Sequence, residues 1–163
     1  IGITKAYTTR VGEGPFPTEL FDETGTYLAE TGGEVGATTG RPRRCGWLDG
    51  FLLKNMVKVS GVDGLCLTKI DVLDGLEKIK ICTAYSSELT EAEMIETMDL
   101  ELAKPEYLEM PGWSKPTAGQ TSYEELDDNA KSFVDKIEEI SGVPVIMIST
   151  GPKREDTIIR KDI

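Results

Sequence analysis

Two short apolar runs, each enclosed by turn residues, most constrain the fold of this chain. They lie at residues 64–68 and 143–148, and runs of this length suit buried strands, because a buried helix needs about ten residues or more. An amphipathic helical pattern precedes each run, at residues 49–60 and 122–141. Helices that alternate with buried strands pack on a parallel sheet. The pattern therefore predicts an α/β fold, a portion of a larger, mostly parallel sheet flanked by helices.

The helix at residues 122–141 has the strongest signal. Ser122 and Glu125 have the spacing of a capping box, and Gly142 is placed to end the helix. Between them runs an apolar stripe at helical spacing, formed by Leu126, Ala130, Phe133, Val134, Ile137 and Ile140. The helix at residues 49–60 has its own stripe, formed by Leu52, Leu53, Met56 and Val57.

Weaker patterns predict the remaining elements. We expect a strand over residues 3–10, a helix over 24–30, and an edge strand over 157–160. A further strand is expected over residues 78–85, with Ile79, Ile81 and Thr83 on one face. Residues 86–120 are acidic and contain Pro105, Pro111 and Pro116, which predicts an irregular excursion on the surface.

The formal net charge is −11, and the excess of acidic side chains is regional. Residues 1–85 contain 11 acidic and 10 basic side chains, whereas residues 86–139 contain 15 acidic and 4 basic. The net charge repels a polyanion, which argues against nucleic-acid binding. No run approaches the roughly 20 apolar residues of a membrane-spanning helix, so we expect no membrane association. A small anionic ligand needs only a local cationic pocket.

The cysteines and the N-terminus bear on the compartment and on the extent of the chain. Cys45, Cys66 and Cys82 are far apart and fit neither a disulfide framework nor a CxxC metal pair, so we expect a reducing compartment, the cytoplasm. There is no histidine, so the commonest general base and zinc ligand are unavailable. The N-terminus lacks an initiator methionine and a signal-like segment, and we expect a cut fragment.

The tetrapeptide Thr68-Lys69-Ile70-Asp71 follows the first apolar run and has the form of the guanine-specificity motif, N/T-K-x-D, of GTP-binding proteins. A carboxylate at Asp71 offers two acceptors to the N1–H and exocyclic amino donors of guanine, a donor pair that adenine lacks. The aliphatic stem of Lys69 is long enough to cover the base plane. Ligands of open α/β sheets bind at this end of the strands. The motif predicts a guanine site, and a solvated turn is the alternative.

A second loop follows the later apolar run, with Ser149, Thr150 and Gly151 ahead of Pro152. Parallel strands would bring both loops to the same edge of the sheet, where they would enclose one base. Backbone N–H groups of the Ser149–Gly151 turn would reach the guanine O6, and glycine permits the close approach. An ordinary exit from a strand is the alternative.

The segment at residues 38–44 concentrates Arg41, Arg43 and Arg44 beside the hydroxyls of Thr38 and Thr39. Arginine binds carboxylates and phosphates through two parallel hydrogen bonds, so this loop is a candidate anion site in an acidic protein. A solvated basic turn that pairs with nearby acids is the alternative.

No GxxxxGKS/T phosphate loop and no GxGxxG motif occur, so a fold like that of the P-loop GTPases would here lack the P-loop. The acidic pairs Asp71/Asp74 and Asp22/Glu23 suggest carboxylate catalysis or a metal site, but nothing in their spacing distinguishes them from surface acids. We predict no metal site formed by this chain alone.

Four segments, in order, resemble the adenylosuccinate synthetase family: VGEGPFPTEL at 11–20, GATTGRPRRCGWLD at 36–49, LCLTKIDVLDGL at 65–76 and ISTGP at 148–152. MPGW at 110–113 adds to the resemblance, which covers nearly all of residues 1–163 and implies the C-terminal part of the enzyme. In that family, GTP phosphorylates the O6 of IMP, and the amine of L-aspartate displaces the phosphate. The resemblance thus implies a Mg²⁺-dependent ligase that makes adenylosuccinate, GDP and phosphate in the first committed step of AMP synthesis.

The resemblance also implies roles for individual residues. GTP would be bound by Arg43, Lys69, Ile70, Asp71, Ser149, Thr150 and Gly151. L-aspartate would be bound by Ala37, Thr38, Thr39, Gly40, Arg41, Pro42 and Arg43. Arg41 would also lie near the ribose of IMP, and Val11 would contact IMP through its backbone.

The family's phosphate-binding glycine loop, catalytic aspartate and catalytic histidine belong to an N-terminal part that this sequence does not contain. The resemblance therefore implies no catalytic residue here, a fragment inactive alone, Mg²⁺ held mainly by the missing N-terminal part, and a homodimer at full length. Two alternatives remain: a stand-alone guanine-nucleotide-binding module, and an interaction domain without a ligand site.

Overall fold

The computed structural model describes residues 1–38, 40–86, 90, 100 and 103–160. The strands are β1 (Gly2–Lys5), β2 (Thr8–Arg10), β3 (Arg44–Gly46), β4 (Leu48–Asp49), β5 (Leu65–Thr68), β6 (Lys78–Ser86), β7 (Lys104–Pro111), β8 (Val145–Ser149) and β9 (Thr157–Ile159). The helices are α1 (Glu23–Thr31), α2 (Gly50–Ser60) and α3 (Asp128–Ser141), with a short 3₁₀ helix at Ile70–Leu73.

The chain divides into two compact units. The first comprises Ile1–Ala6, Leu52–Ile79 and Glu109–Ile163, and the second comprises Tyr7–Phe51 and Lys80–Leu108. Among the described residues, no helix combines the length and the apolar character that crossing a bilayer requires.

The main sheet of the first unit has the strand order β1-β5-β8-β9. Strand β5 pairs in parallel with β1 and with β8, and β9 adds an antiparallel edge, with Ile148 opposite Ile158. The predicted α/β class with a parallel-rich sheet is confirmed. The central strands are buried because neighbouring elements cover them: Leu65, Leu67, Val145 and Ile148 have almost no exposed surface.

Helix α3 begins six residues later than the sequence pattern indicated. Its N-cap is Asp127, whose carboxylate accepts the backbone N–H of Asn129 at 3.0 Å, so the predicted capping box of Ser122 and Glu125 is wrong. Residues 122–126 form turns instead, in which the Glu125 N–H donates to the carbonyl of Ser122 at 3.3 Å. Asp127 accepts the backbone N–H groups of Asn129 and Lys115, and its negative charge is favourable at the N-terminus of a helix.

The predicted end of α3 and most of its predicted core face are confirmed, although Leu126 precedes the helix and Ile140 is half-buried. Gly142 adopts a left-handed conformation with φ 77°, and its N–H donates to the carbonyl of Glu138. Ala130, Phe133, Val134 and Ile137 are buried, and α3 packs on β8.

Helices α1 and α2 lie where the sequence predicted them. Gly32 caps α1 through N–H bonds to the carbonyls of Glu30 and Leu28. In α2 the predicted apolar stripe is only partly buried: Val57 lies in the core, whereas Met56 is 41% exposed. Only part of the predicted apolar stripe of α2 therefore faces the core.

Residues 3–10, predicted as one strand, form two. The first, β1, belongs to the parallel sheet, and the second, β2, pairs antiparallel with β3, with Thr9 opposite Cys45. Ala6 and Tyr7 separate them and are both buried. A continuous β-prone pattern does not reveal this break, because the residues at the break are as apolar as those of a strand.

Two predictions about β6 and its neighbour are wrong in detail. The alternation of β6 shifts after Ile81, so that Cys82 and Tyr85 are buried and Thr83 is exposed. Tyr85 faces inward because its hydroxyl donates to the buried carboxylate of Asp49. Part of the segment 86–120, predicted to be irregular, forms β7 at the edge of a three-stranded sheet with the order β4-β6-β7. An edge strand tolerates proline, so Pro105 and Pro111 do not exclude it.

We expect the substitution Asp127→Ala to lower the free energy of unfolding by about 1 kcal/mol, because α3 loses its N-cap. Ser122→Ala is the matched control and should change it little. Chemical denaturation of both variants measures the difference, and a larger loss from Ser122→Ala would restore the capping box.

The cost of Asp127→Ala should also depend on pH. Hydrogen bonds from the backbone N–H groups of Asn129 and Lys115 hold the pKa of Asp127 below its usual value. The folded pKa is then lower than the unfolded one, so this stabilisation is complete above the unfolded pKa of about 3.9 and is lost as the pH falls through the folded pKa. The difference in the free energy of unfolding between the unmodified chain and Asp127→Ala should therefore shrink below about pH 4, as chemical denaturation at several pH values will show.

Candidate functional site

The predicted base-binding motif lies where β5 leaves the sheet. Lys69 follows β5 with φ 62° and ψ 34°, and in the described part of the chain no other non-glycine residue has a positive φ. A side chain in this left-handed region costs free energy, so the surrounding structure must hold it there. The next residue, Ile70, is fully buried at the start of the 3₁₀ helix, which leaves Lys69 and Asp71 half-buried on either side of it.

Asp71 occupies a partly desolvated position among other carboxylates. Burial is the main cause that raises the pKa of Asp71 above its usual value, and the negative charges of Asp74 and Asp156 add to it. A backbone hydrogen bond at Asp71 and the positive charge of Lys69 act in the opposite direction. A carboxylate in this situation gains from a ligand that offers it hydrogen-bond donors.

The second predicted loop follows β8, the parallel neighbour of β5. The two strands are parallel, with Leu67 opposite Ile148, so their carboxyl ends lie at the same edge of the sheet. The Ser149 hydroxyl donates to the carbonyl of Gly151 at 3.0 Å, and the Thr150 N–H donates to the carbonyl of Asp156 at 2.9 Å. The turn is therefore closed on itself.

The three residues of this loop differ in exposure. Ser149 and Gly151 are half-buried, whereas Thr150 is fully buried. A Cβ atom on Gly151 would stand 2.5 Å from a carboxylate oxygen of Asp156, so a larger residue here would displace that carboxylate, which also accepts the Lys153 N–H. Thr150 thus anchors the loop, and Ser149 and Gly151 are the residues that a ligand can reach.

A third segment, not predicted as part of the site, joins the two loops. Asp74, at the C-terminal end of the 3₁₀ helix, accepts hydrogen bonds from four donor groups of residues 113–118. Thr150 in turn donates its hydroxyl hydrogen to the carbonyl of Gln120 at 2.7 Å. The sequence pattern did not distinguish Asp74 from a surface acid, because its donors lie about 40 residues further along the chain.

The other acidic pair considered in the sequence has a structural role as well. Asp22 is the N-cap of α1, and its carboxylate accepts the backbone N–H of Gly25 at 3.0 Å. Among the described residues, no group of three or more cysteine or acidic side chains is arranged to hold a metal ion.

In the second unit, the arginine-containing segment forms a loop over residues 34–43. The Gly36 N–H donates to the carbonyl of Arg41 at 2.8 Å, and the Arg43 N–H donates to that of Glu34 at 2.9 Å. Gly40, at the tip, has φ 63°. The predicted ligand-binding residues that are exposed are Ala37, Thr38, Gly40, Arg41 and Pro42. Thr39, also predicted, lies outside the described residues.

The three arginines of this region have different environments. Arg43 donates to the carboxylate of Glu34 at 2.7 Å, and the exposed fractions of the two side chains are 29% and 0%. The Tyr7 hydroxyl donates to the other oxygen of Glu34 at 2.5 Å. Arg41, by contrast, is exposed. A buried carboxylate thus holds Arg43 in place, whereas its neighbour Arg41 is exposed.

Arg44 serves the structure of the second unit. Its guanidinium forms two parallel hydrogen bonds with Glu19, at 2.8 and 2.5 Å, and also donates to the carbonyls of Gly12 and Gly14. The hydrogen bond to Glu19 is the main cause that raises the pKa of Arg44. Val11, the predicted IMP contact, precedes Gly12 in the chain and is 65% exposed.

Comparisons with known proteins identify the family. The family model described as adenylosuccinate synthetase matches residues 1–158. The adenylosuccinate synthetases of Chromohalobacter salexigens and Alcanivorax borkumensis are 53% and 55% identical, each over 99% of this chain. The chain spans 38% of the length of these relatives.

A solved structure agrees with the sequence matches. The fully ligated adenylosuccinate synthetase from Plasmodium falciparum superposes with a TM-score of 0.87 and 38% identity, over 96% of this chain and 38% of that one. These matches do not show the predicted placement of the chain in the C-terminal part of the enzyme. What they do show is that the chain belongs to the adenylosuccinate synthetase family.

Proposed function

We propose that this chain is part of a ligase that joins IMP and L-aspartate at the expense of GTP and releases adenylosuccinate, GDP and phosphate. Membership of the family supports the reaction. The observation that carries the proposal is the position of two loops, Lys69–Asp71 and Ser149–Gly151, at the carboxyl ends of the adjacent parallel strands β5 and β8. Ligands of open α/β sheets bind at this edge.

The first loop is proposed to select guanine. The half-buried carboxylate of Asp71 would accept the N1–H and the exocyclic amino hydrogens, and the stem of Lys69 would cover the base. Ser149 and Gly151 would present backbone N–H groups to O6. The buried residues Ile70 and Thr150 would hold the two loops in position.

The loop at residues 34–43 is proposed to bind the other substrates. Exposed residues of its tip, together with Arg41, would bind the carboxylates of L-aspartate, and Arg41 would also approach the ribose of IMP. Arg43, held by Glu34, would contact aspartate and GTP, and the backbone of Val11 would contact IMP. Each arginine supplies the local positive charge that an anion needs in a protein with a net charge of −11.

The remaining chemistry is assigned to the rest of the enzyme. This sequence contains no GxxxxGKS/T loop and no histidine, so the groups that cradle the phosphates and transfer protons, and those that hold Mg²⁺ with GTP, would come from elsewhere in a longer, homodimeric protein. The cytoplasm is the proposed compartment, and the three free cysteines support a reducing one.

In the full-length enzyme that contains this sequence, Asp71→Asn should raise the KM for GTP roughly 10- to 100-fold and make XTP the better substrate. The amide of asparagine can donate to the C2 carbonyl of xanthine, whereas it opposes the amino group of guanine. Steady-state kinetics with both nucleotides measure the change. Asp63→Asn, at an exposed position, is the matched control, and an unchanged base preference in Asp71→Asn would remove this residue from the site.

Substitution of Arg41 tests the second loop in the same enzyme. Arg41→Met should raise the KM for L-aspartate about tenfold, because one charge-assisted contact is lost, and should leave the KM for GTP nearly unchanged. Lys58→Met removes an exposed positive charge from α2 and serves as the control. Equal aspartate kinetics in Arg41→Met and the unmodified enzyme would contradict the assignment.

The chain by itself should form no detectable adenylosuccinate, because it contributes recognition loops without proton-transfer groups. Incubation with GTP, IMP, L-aspartate and Mg²⁺ tests this directly, and measurable product would refute it.

The alternative, a stand-alone guanine-nucleotide-binding module, is favoured by one observation: both proposed base-binding loops belong to the first unit. Calorimetric titration of the chain with GTP and with ATP distinguishes the two. Selective binding of GTP would support the module, and no binding would show that the pocket needs the rest of the enzyme.

A further inference from the structure

We propose that Asp74 is a positioning residue that determines the guanine selectivity of the site, by holding the Lys69–Asp71 loop and the Ser149–Gly151 loop in one arrangement through the turn at residues 117–120. This inference rests on the proposed function of those loops. Asp74 itself contacts no ligand in the proposed site. Its effect would reach the base through Asp71 on one side and Thr150 on the other.

The first part of the connection joins Asp74 to Asp71. Asp74 is the C-cap residue of the 3₁₀ helix that contains Asp71, and its backbone N–H donates to the carbonyl of Asp71 at 3.2 Å. This helix also carries the buried residues Ile70, Val72 and Leu73. A displacement of Asp74 therefore moves Asp71, since only Val72 and Leu73, whose side chains are packed in the core, separate the two aspartates.

The second part joins Asp74 to the segment that follows β7. One carboxylate oxygen accepts the indole N–H of Trp113 at 2.5 Å and the Thr117 hydroxyl at 2.8 Å. The backbone N–H of Thr117 lies 2.9 Å from both oxygens, and the N–H of Ala118 lies 3.0 Å from the second. Trp113 also packs on Phe133 of α3, with 5.8 Å between the ring centroids. Both oxygens of Asp74 thus face hydrogen-bond donors from one segment.

The third part joins the turn to the other base-binding loop. The Gln120 N–H donates to the carbonyl of Thr117 at 3.1 Å, which closes the turn. The Gly119 N–H then donates to the carbonyl of Thr150 at 3.0 Å, and the Thr150 hydroxyl donates to the carbonyl of Gln120 at 2.7 Å. Because Thr117 and Thr150 are both fully buried, water cannot replace these bonds without a local opening of the structure.

The two aspartates therefore have different tasks although they lie three residues apart. The carboxylate of Asp74 is satisfied by its own protein and is held inside the turn. Asp71 is half-buried, as Asp74 is, and is placed to accept donors from a ligand. Selection of guanine over hypoxanthine depends on one additional donor, the exocyclic amino group, so it requires that Asp71 be held to within a fraction of an ångström.

Kinetics of the full-length enzyme carrying Asp74→Asn test this proposal. Asparagine has nearly the same shape, but its amide group must face the N–H donors of residues 113–118 in either orientation, which disrupts the connection. We expect the KM for GTP to rise about tenfold and the preference for GTP over ITP to fall by a similar factor. The KM values for IMP and L-aspartate should stay within about twofold.

Two variants of Thr117 test whether the selectivity for GTP over ITP follows the number of hydrogen bonds to Asp74. Thr117→Ser keeps the hydroxyl and should behave like the unmodified enzyme, whereas Thr117→Val loses only the 2.8 Å bond and should give an intermediate loss of selectivity. Asp63→Asn, an exposed aspartate of the same unit, is the control for the change of charge. Thermal melting establishes that each variant is folded under the assay conditions.

A role confined to stability predicts a different result. It would lower kcat equally for GTP and ITP through a smaller active fraction and leave both KM values and their ratio unchanged, and that result overturns the proposal. Asp71→Asn, measured in parallel, distinguishes a failure of the positioning role of Asp74 from a failure of the proposed guanine site. If it changes the base preference and Asp74→Asn does not, the positioning role is wrong and the guanine site stands. If neither variant changes it, the proposed guanine site itself is wrong.

Discussion

The parallel pairing of β5 with β8 is the constraint on which the candidate base site depends. It sets Leu67 opposite Ile148, so the chain leaves both strands at one edge of the sheet although they are about 80 residues apart in sequence. Burial of Leu65, Leu67, Val145 and Ile148 between β1, β9 and α3 stabilises this register, because a slip by one residue would expose the apolar set of each strand. Recognition residues placed on such strand ends inherit the rigidity of the sheet.

The loops themselves are held by polar groups inside the protein. Lys69 keeps a left-handed backbone because Ile70 is buried on one side of it and β5 is fixed on the other. Asp74, Thr117 and Thr150 supply hydrogen bonds that would otherwise be missing in a buried position. A buried polar network that is fully satisfied specifies a single arrangement, whereas apolar packing alone would leave the loops free to shift.

Two arginines of the second unit are also fixed by specific polar partners. The chain is strongly acidic, yet Arg41 is exposed, Arg43 pairs with the buried Glu34, and Arg44 pairs with Glu19. Removal of Glu34 from water is tolerable because both of its oxygens accept hydrogen bonds, one from Arg43 and one from Tyr7. Three arginines within four residues thus have three environments, which their shared chemistry does not reveal.

Local pattern alone determined the α/β class, the strands β5, β8 and β9, helices α1 and α2, and the placement of Lys69–Asp71 directly after a buried strand, because periodicity and turn residues act within a few positions of the chain. Motifs in order also indicated the family. Tertiary structure alone decided the start of α3 at Asp127, the division of residues 3–10 between two sheets, the formation of β7, the inward position of Thr150, and the role of Asp74. Asp127 accepts the backbone N–H of Lys115, twelve residues before it, and Asp74 accepts the Thr117 hydroxyl, 43 residues after it. Partners at such separations lie outside the few positions over which periodicity and turn residues act.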